Sequence, residues 1–153
     1  MLCETHLLYL NAVCQETLRI YRITVFTFAR VLRVPMEPTG YQFEAGTLLS
    51  PCMYLTHNRP DLYPEPKQFR PERFLERQFS PYEYFPFGGS NRRYIGIAFA
   101  QYEMQLLLAT VLRCFQLKLA NQRPVRQTFC QHMESYAINR LEFIRRNLSM
   151  SCC

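Results

Sequence analysis

Two segments of the chain carry the spacing of an amphipathic helix, in which apolar residues recur every three or four positions. The first covers residues 5–21 and the second, which is the stronger, covers residues 96–113. The apolar positions of the first segment are Leu7, Leu10, Cys14, Leu18 and Tyr21. A weaker pattern of the same period predicts a third helix over residues 129–148.

Between the first two helices, β-branched and aromatic residues predict short strands. These strands cover residues 24–32, 41–43 and 47–55, and a further strand is predicted over residues 115–119. Residues 57–86 contain six of the ten prolines, which excludes a continuous helix or a central strand there. This segment is predicted to be a long meander, and its length favours a functional role over a simple connection.

The composition is that of a globular domain. With 48% hydrophobic and 20% charged residues over 153 positions, the chain is neither disordered nor fibrous. No run approaches the ~18 apolar residues of a membrane span and no signal peptide is visible, so we expect a cytoplasmic protein without a membrane span. The seven cysteines include no C-x-x-C pair, which favours reduced thiols over a disulfide framework or a zinc site.

The net charge of +6 lies toward the C-terminal end. Residues 1–112 hold 11 basic and 10 acidic side chains, whereas residues 113–153 hold 7 basic and 2 acidic side chains. Arginine far outnumbers lysine, which favours bidentate pairing with carboxylates. No cationic face with interleaved aromatic residues and no nucleic-acid reading module is present, so nucleic acid is not an expected partner.

Three motifs carry the chemistry of the sequence. Glu16 and Arg19 form an E-x-x-R pair, three positions apart on one face of the first helix. Arg73 lies in a proline-stiffened P-E-R-F segment of the meander. The third motif, F-G-G-S-N-R-R-Y-I-G at residues 87–96, leads directly into the second helix.

In this order and spacing, the three motifs resemble those of the cytochrome P450 family of haem-thiolate monooxygenases, in the style of its soluble bacterial members. The resemblance implies a mainly α fold with small β-sheet elements (α+β), corresponding to the C-terminal, proximal part of the cytochrome P450 fold and incomplete. It divides the chain into a proximal haem-binding region, residues 1–126, and a divergent basic tail, residues 127–153. The sequence of this tail is compatible with a helix. The family's oxygen-activating helix would lie upstream of the first helix, outside these residues.

The resemblance also assigns roles to the motif residues. Glu16, Arg19 and Arg73 would form a buried salt-bridged triad that holds the meander to the first helix, an architectural role and not a catalytic one. His57, a histidine without nearby ligand partners in the sequence, is expected to be a hydrogen-bonded residue of a structural turn.

The expected cofactor is b-type haem, with a cofactor-binding set that the resemblance supplies. Arg30 and Arg92 would pair with the haem propionates, Phe87 would pack against the loop, and Gly96 would allow a close approach to the helix. The family's axial cysteine, however, is replaced by Tyr94. The fourth loop position, usually glycine, is Ser90.

Tyr94 leaves two interpretations open. A tyrosinate is a haem ligand in catalase, so Tyr94 is a candidate metal ligand. A phenol, however, reaches several Å farther from the backbone than a thiol and would collide with the porphyrin unless the loop shifts. We favour the interpretation that Tyr94 abolishes thiolate ligation, and none of the seven cysteines is an evident substitute.

The leading functional expectation is a truncated cytochrome P450-type monooxygenase, an oxidoreductase acting on an organic substrate with O2, that is inactive alone. Its partners would be a ferredoxin-type electron donor, docking near Arg92, Arg93 and Arg113, and a small apolar substrate. The alternatives are a non-catalytic haem-binding or partner-binding fragment and a Tyr-ligated haem protein.

Overall fold

The computed structural model describes residues 2–119 and 141–145. Within them the chain is mainly helical, with two small antiparallel sheets, in agreement with the predicted fold class. Two compact units are present, Met1–Phe99 and Ala100–Cys153. The elements in chain order are α1 (Leu2–Ile20), β1 (Arg30–Val31), β2 (Leu48–Leu49), α2 (Met53–His57), α3 (Arg73–Glu76), α4 (Ile97–Cys114), β3 (Phe115–Leu119) and β4 (Leu141–Arg145), with 3-10 turns at Pro38–Gly40 and Ser90–Arg92.

The first predicted helix is confirmed as α1, and it supplies much of the buried core of the first unit. Its inward face carries Ala12, Cys14 and Leu18, all buried. The polar side chains of Glu16 and Arg19 are buried on the same part of the helix. Because these two charges interrupt an apolar stripe and are buried, they have to be paired. The element that packs against α1 is α3, in the P-E-R-F segment.

The strands between α1 and the meander are shorter than the sequence predicts. β1 pairs antiparallel with β2, with Arg30 opposite Leu49 and Val31 opposite Leu48. Isolated bridges join Phe26 to Cys52 and Met36 to Phe43. Extended backbone therefore occurs in each predicted strand segment, but only two residues on each side form a continuous ladder.

The strand predicted over residues 47–55 is wrong beyond Cys52, where α2 begins. Met53 and His57 are four residues apart, so one turn of helix brings both side chains to the same buried face. Cys52 is extended at the start of this helix (φ −92°, ψ 104°). Burial of this pair against the core overrides the β propensity of the segment.

The meander that follows is built from turns and the single helical turn α3. Its backbone hydrogen bonds are local, as in Tyr63 N–H to the Arg59 carbonyl (2.9 Å). Glu65 adopts a left-handed conformation (φ 51°) between two prolines. Local turns alone do not fix so long a segment, so its position depends on contacts with other elements.

In the second unit, the sequence prediction is confirmed for α4 and for β3. β3 pairs antiparallel with β4, with Leu117 opposite Phe143 and Leu119 opposite Leu141. The helix predicted over residues 129–148 is therefore wrong for Leu141–Arg145, because main-chain pairing with the alternating strand β3 outweighs a weak helical spacing. The rest of that prediction lies outside the described residues.

Many apolar side chains remain exposed to solvent, including Phe99 on α4 and Ile95 just before it. No residue of α4 is buried within the described part of the chain. Among residues 2–119 and 141–145, no helix is both long and apolar enough to cross a membrane.

The two faces of α2 provide a test of this packing. Met53 is 2% exposed and Leu55 is 65% exposed on the same short helix. We expect Met53→Ala to lower the free energy of unfolding by about 2–5 kcal/mol, because it leaves a cavity in the core. The control Leu55→Ala should lower it by less than about 1 kcal/mol. Urea denaturation followed by circular dichroism measures both, and equal effects would contradict the burial described.

Candidate functional site

The centre of the first unit is a buried ion cluster that begins on α1. Arg19 Nε donates to Glu16 Oε2 (2.7 Å) and Arg19 Nη2 donates to Glu16 Oε1 (2.8 Å). Both side chains are fully buried. The i,i+3 spacing on a helix makes this bidentate pair possible, and two parallel charge-assisted bonds fix the guanidinium plane.

The second guanidinium comes from α3. Arg73 Nε donates to Glu16 Oε1 (3.3 Å), and the Arg70 backbone N–H donates to the same oxygen (3.0 Å). The structure therefore brings together Glu16, Arg19 and Arg73, as the sequence analysis expected. A buried carboxylate must be compensated by donors, and here two arginines and one main-chain amide supply them.

The remaining guanidinium donors hold the meander. Arg19 Nη1 donates to the His57 carbonyl (2.7 Å) and Arg19 Nη2 to the Pro66 carbonyl (2.8 Å). Arg73 Nη1 donates to the Pro64 carbonyl (3.0 Å). A segment rich in proline has few amide donors of its own, so its carbonyls are satisfied from the side by arginine. The ion cluster thereby fixes the path of the meander.

His57 is a residue whose importance the sequence analysis underestimated. It is hydrogen-bonded, as expected, but it lies at the end of α2 and its side chain is fully buried. Its Nε2 accepts a hydrogen bond from the Phe85 backbone N–H (3.1 Å). The sequence feature that could have indicated the burial of His57 is the high density of aromatic residues at positions 82–87, because an imidazole can be buried in an aromatic cluster.

The loop at residues 87–96 follows this aromatic cluster. The Gly88 N–H donates to the Phe85 carbonyl (3.0 Å), and Gly88 has a φ of 82°, which favours glycine. The Ser90–Arg92 turn follows, and the Tyr94 N–H closes the loop by donating to the Phe87 carbonyl (3.1 Å). The loop is thus held by main-chain bonds at both ends.

Tyr94 is the residue at which this loop closes. Its side chain is 59% exposed, and its ring stacks near Phe87 with centroids 6.3 Å apart and planes at 24°. The ring also lies over Gly96, because a Cβ added at Gly96 would be 2.8 Å from Tyr94 Cε1 and 2.9 Å from the phenolic oxygen. Gly96 therefore provides the room into which the phenol folds.

The two arginines that the resemblance assigns to haem propionates lie on separate segments. Arg30 is in β1 and Arg92 is in the Ser90–Arg92 turn, and both are exposed. Arg22 differs from them, since it is buried and its guanidinium lies 4.3 Å from the centroid of the Tyr54 ring. Burial lowers the pKa of Arg22, and the neighbouring charge of Arg19 lowers it further, whereas Tyr54 and Cys52 act in the opposite direction.

With this geometry in place, comparison with known proteins identifies the class. The family model of cytochrome P450 matches residues 2–143, and the chain belongs to the cytochrome P450 family. The match continues past residue 126, where the sequence analysis placed the end of the haem-binding region. The division at residues 126 and 127 stays a prediction.

Relatives from distant organisms show the same similarity. The chain is 43% identical over 109 residues to cytochrome P450 135B1 of Mycobacterium tuberculosis, covering 71% of this chain and 23% of that protein. It is 40% identical over 113 residues to cytochrome P450 3A29 of Sus scrofa, covering 72% of this chain and 22% of that protein. The chain thus spans about a quarter of the length of the curated relatives it matches.

A solved structure agrees on the fold. The chain is similar to the retinoic acid-bound cyanobacterial CYP120A1, with a TM-score of 0.69 and 34% sequence identity over 75% of this chain and 28% of that one. The part of the chain that the structure describes is therefore a portion of the cytochrome P450 fold.

Membership of this family implies a haem cofactor. Whether the residues of this chain fit a thiolate-ligated haem can be tested at the loop. The side chain at position 94 is a phenol folded over Gly96, not a thiol. Within the described residues the free cysteines are Cys14, Cys52 and Cys114, and none of the three belongs to this loop. These residues do not fit a thiolate-ligated haem.

The ion cluster makes a quantitative prediction. Glu16→Gln keeps the shape of the side chain but leaves two buried guanidinium groups without an anion, so we expect a loss of about 3–5 kcal/mol in the free energy of unfolding. The control is Glu76→Gln, which removes the exposed pair with Arg70 (2.6 Å) and should cost less than about 1 kcal/mol. Denaturant titration of the two variants decides this, and a Glu16→Gln variant as stable as the control would show that the cluster is not a structural anchor.

Proposed function

We propose that this chain is the proximal, haem-loop portion of a cytochrome P450-type monooxygenase in which Tyr94 stands where the axial cysteine would be, and that the chain alone does not catalyse monooxygenation. The family reaction is an oxidation of an organic substrate with O2. The observation that carries the proposal is the closed loop at residues 87–96, which is held by main-chain bonds and has an exposed phenol at its closing residue, Tyr94.

The loss of the thiol has a direct chemical consequence. In cytochromes P450 the thiolate pushes electron density toward the iron and favours cleavage of the O–O bond. The side chain at position 94 here carries a phenolic oxygen in place of the sulfur, so it cannot supply a thiolate. The ion cluster and the main-chain bonds of the loop are formed, which supports the proposal that the missing group is the thiol at position 94.

The remaining features support coarser assignments within the same proposal. If a b-type haem is held, Arg30 and Arg92 are the exposed cations available to its propionates, and Phe87 and Gly96 line the loop. Exposed Arg92 and Arg93 are suited to an acidic electron donor of the ferredoxin type. The free thiols of Cys14, Cys52 and Cys114 fit a reducing, cytoplasmic setting.

A second candidate function is a non-catalytic fragment that binds haem or a partner chain. The observation that favours it is the extent of exposed apolar surface near the loop, where Ile95 is fully exposed. Surfaces of this kind mark interaction sites or a risk of aggregation. The third candidate is a haem protein in which Tyr94, as a tyrosinate, is the metal ligand.

Haem titration of the full chain tests these proposals together. We expect the wild-type chain and a Tyr94→Phe control to give no thiolate-type spectrum in the reduced carbon monoxide complex, because neither has a sulfur at position 94. Tyr94→Cys restores the sulfur, and a thiolate-type band in that variant would show that the replaced side chain is the limiting defect.

The same series separates the alternatives. Haem uptake by the wild-type chain without a thiolate band supports the binding function, and a visible band lost in Tyr94→Phe supports tyrosinate ligation. A thiolate-type band in the wild-type chain would overturn the proposal. Failure of Tyr94→Cys to form it would place the limiting defect in structure beyond the loop.

A further inference from the structure

His57 lies between the ion cluster and the loop, and it contacts both. Its carbonyl accepts from Arg19 Nη1 (2.7 Å), which joins it to the cluster. Its Nε2 accepts from the Phe85 N–H (3.1 Å), which joins it to the segment that enters the loop.

The hydrogen-bond path continues from Phe85 into the loop. The Phe85 carbonyl accepts from the Gly88 N–H (3.0 Å), and the Phe87 carbonyl accepts from the Tyr94 N–H (3.1 Å). A side-chain acceptor at position 57 therefore fixes the first residue of a short series of main-chain bonds that ends at Tyr94. Loss of that acceptor would free the Phe85 amide and the turn that depends on it.

Aromatic rings hold the imidazole in place. The ring centroid of His57 lies 5.6 Å from that of Tyr84, with the planes at 27°, and 5.2 Å from that of Phe85. Tyr63 packs edge-on at 6.2 Å. The side chain is fully buried, and Nδ1 has no hydrogen-bond partner among the described residues. The ring is thus shielded from bulk solvent.

This environment selects the neutral imidazole. Because Nε2 is an acceptor, it carries the lone pair and the proton is on Nδ1. The charged groups that act on the ring are Arg22 and Arg19, both cations, and the other titratable neighbours are the phenols of Tyr63 and Tyr84. Burial, with a further contribution from the two arginines, lowers the pKa of His57 to about 3.

We propose that His57 is a positioning residue whose neutral Nε2 holds Phe85, and through it the loop at residues 87–96, to the Glu16–Arg19–Arg73 cluster, and that uptake of one proton by the ring releases this segment. Protonation puts a hydrogen on Nε2, so two donors would then face each other at Phe85. The proposal concerns the chain's own loop and holds whether or not haem binds.

The direction of the pH effect follows from the two states. In the opened segment the imidazole is solvated and has its ordinary pKa near 6.5, whereas in the closed segment the pKa is about 3. The open form therefore binds the extra proton as the pH falls below 6.5, and the closed form does not until the pH is near 3. The contribution of His57 to closure is complete above pH 6.5 and is lost progressively below it.

Amide hydrogen exchange of the full chain measures this closure residue by residue. After correction for intrinsic exchange, we expect opening at Phe85 and Tyr94 to become about tenfold more frequent between pH 7.5 and pH 5.5, as uptake of one proton requires. Amides in the middle of α1 provide the internal reference.

Three variants separate positioning from simple packing. His57→Gln keeps an acceptor near the place of Nε2 but cannot take up a proton, so protection of Phe85 and Tyr94 should persist and become independent of pH in this range. His57→Leu removes the acceptor, and exchange at both amides should rise at least tenfold at pH 7.5. The control Tyr63→Phe removes the bond from the Tyr63 hydroxyl to the Glu83 carbonyl (2.9 Å) and should leave the pH profile unchanged.

Two results would overturn the proposal. One is a His57→Gln profile as steep as that of the wild-type chain, which would assign the pH dependence to another group. The other is a His57→Leu variant whose loop amides change no more than those of α1, which would reduce His57 to a packing residue. If His57→Leu does not fold, the comparison of the wild-type chain with His57→Gln still decides the question.

Discussion

The structure of the first unit depends on one buried carboxylate. Glu16 lies on the buried face of α1, where an unpaired charge would be strongly destabilising. It is made tolerable by two guanidinium groups and a main-chain amide, which come from α1 and from the P-E-R-F segment. Because each donor has to be in place for the others to be stable, the cluster ties two distant parts of the sequence to one geometry.

The rest of the unit is arranged around this cluster. Arginine donors not used by Glu16 bind carbonyls of the meander, so the proline-rich segment is held from the side. The meander in turn carries His57 and the aromatic residues that precede the loop. The loop that follows is closed by main-chain bonds, and these bonds are formed with a tyrosine at position 94.

Strong and local signals made part of this structure predictable. The helical period predicted α1 and α4, and the family resemblance carried by the E-x-x-R and P-E-R-F motifs implied the contact between α1 and α3. The helix α2 was not predictable, since the segment has β propensity and the burial of Met53 with His57 decides its conformation. The pairing of β4 with β3 was missed for a similar reason, because strand pairing depends on a partner distant in the sequence.

The site was predictable in its residues and less so in its geometry. Tyr94 was identified from its position in the loop motif, but its fold over Gly96 depends on the absence of a Cβ two residues away. The link through His57 depends on which main-chain amide lies within reach of a buried ring, and nothing in the local sequence specifies that contact.

A double-mutant cycle of Glu16→Gln and Arg73→Met tests most directly whether the buried cluster acts as one unit that holds the meander and the loop. The free energy of unfolding of the two single variants and the double variant should be non-additive by more than about 1 kcal/mol, because the second change removes a partner that the first has already left uncompensated. Additive effects would contradict the central role given to Glu16.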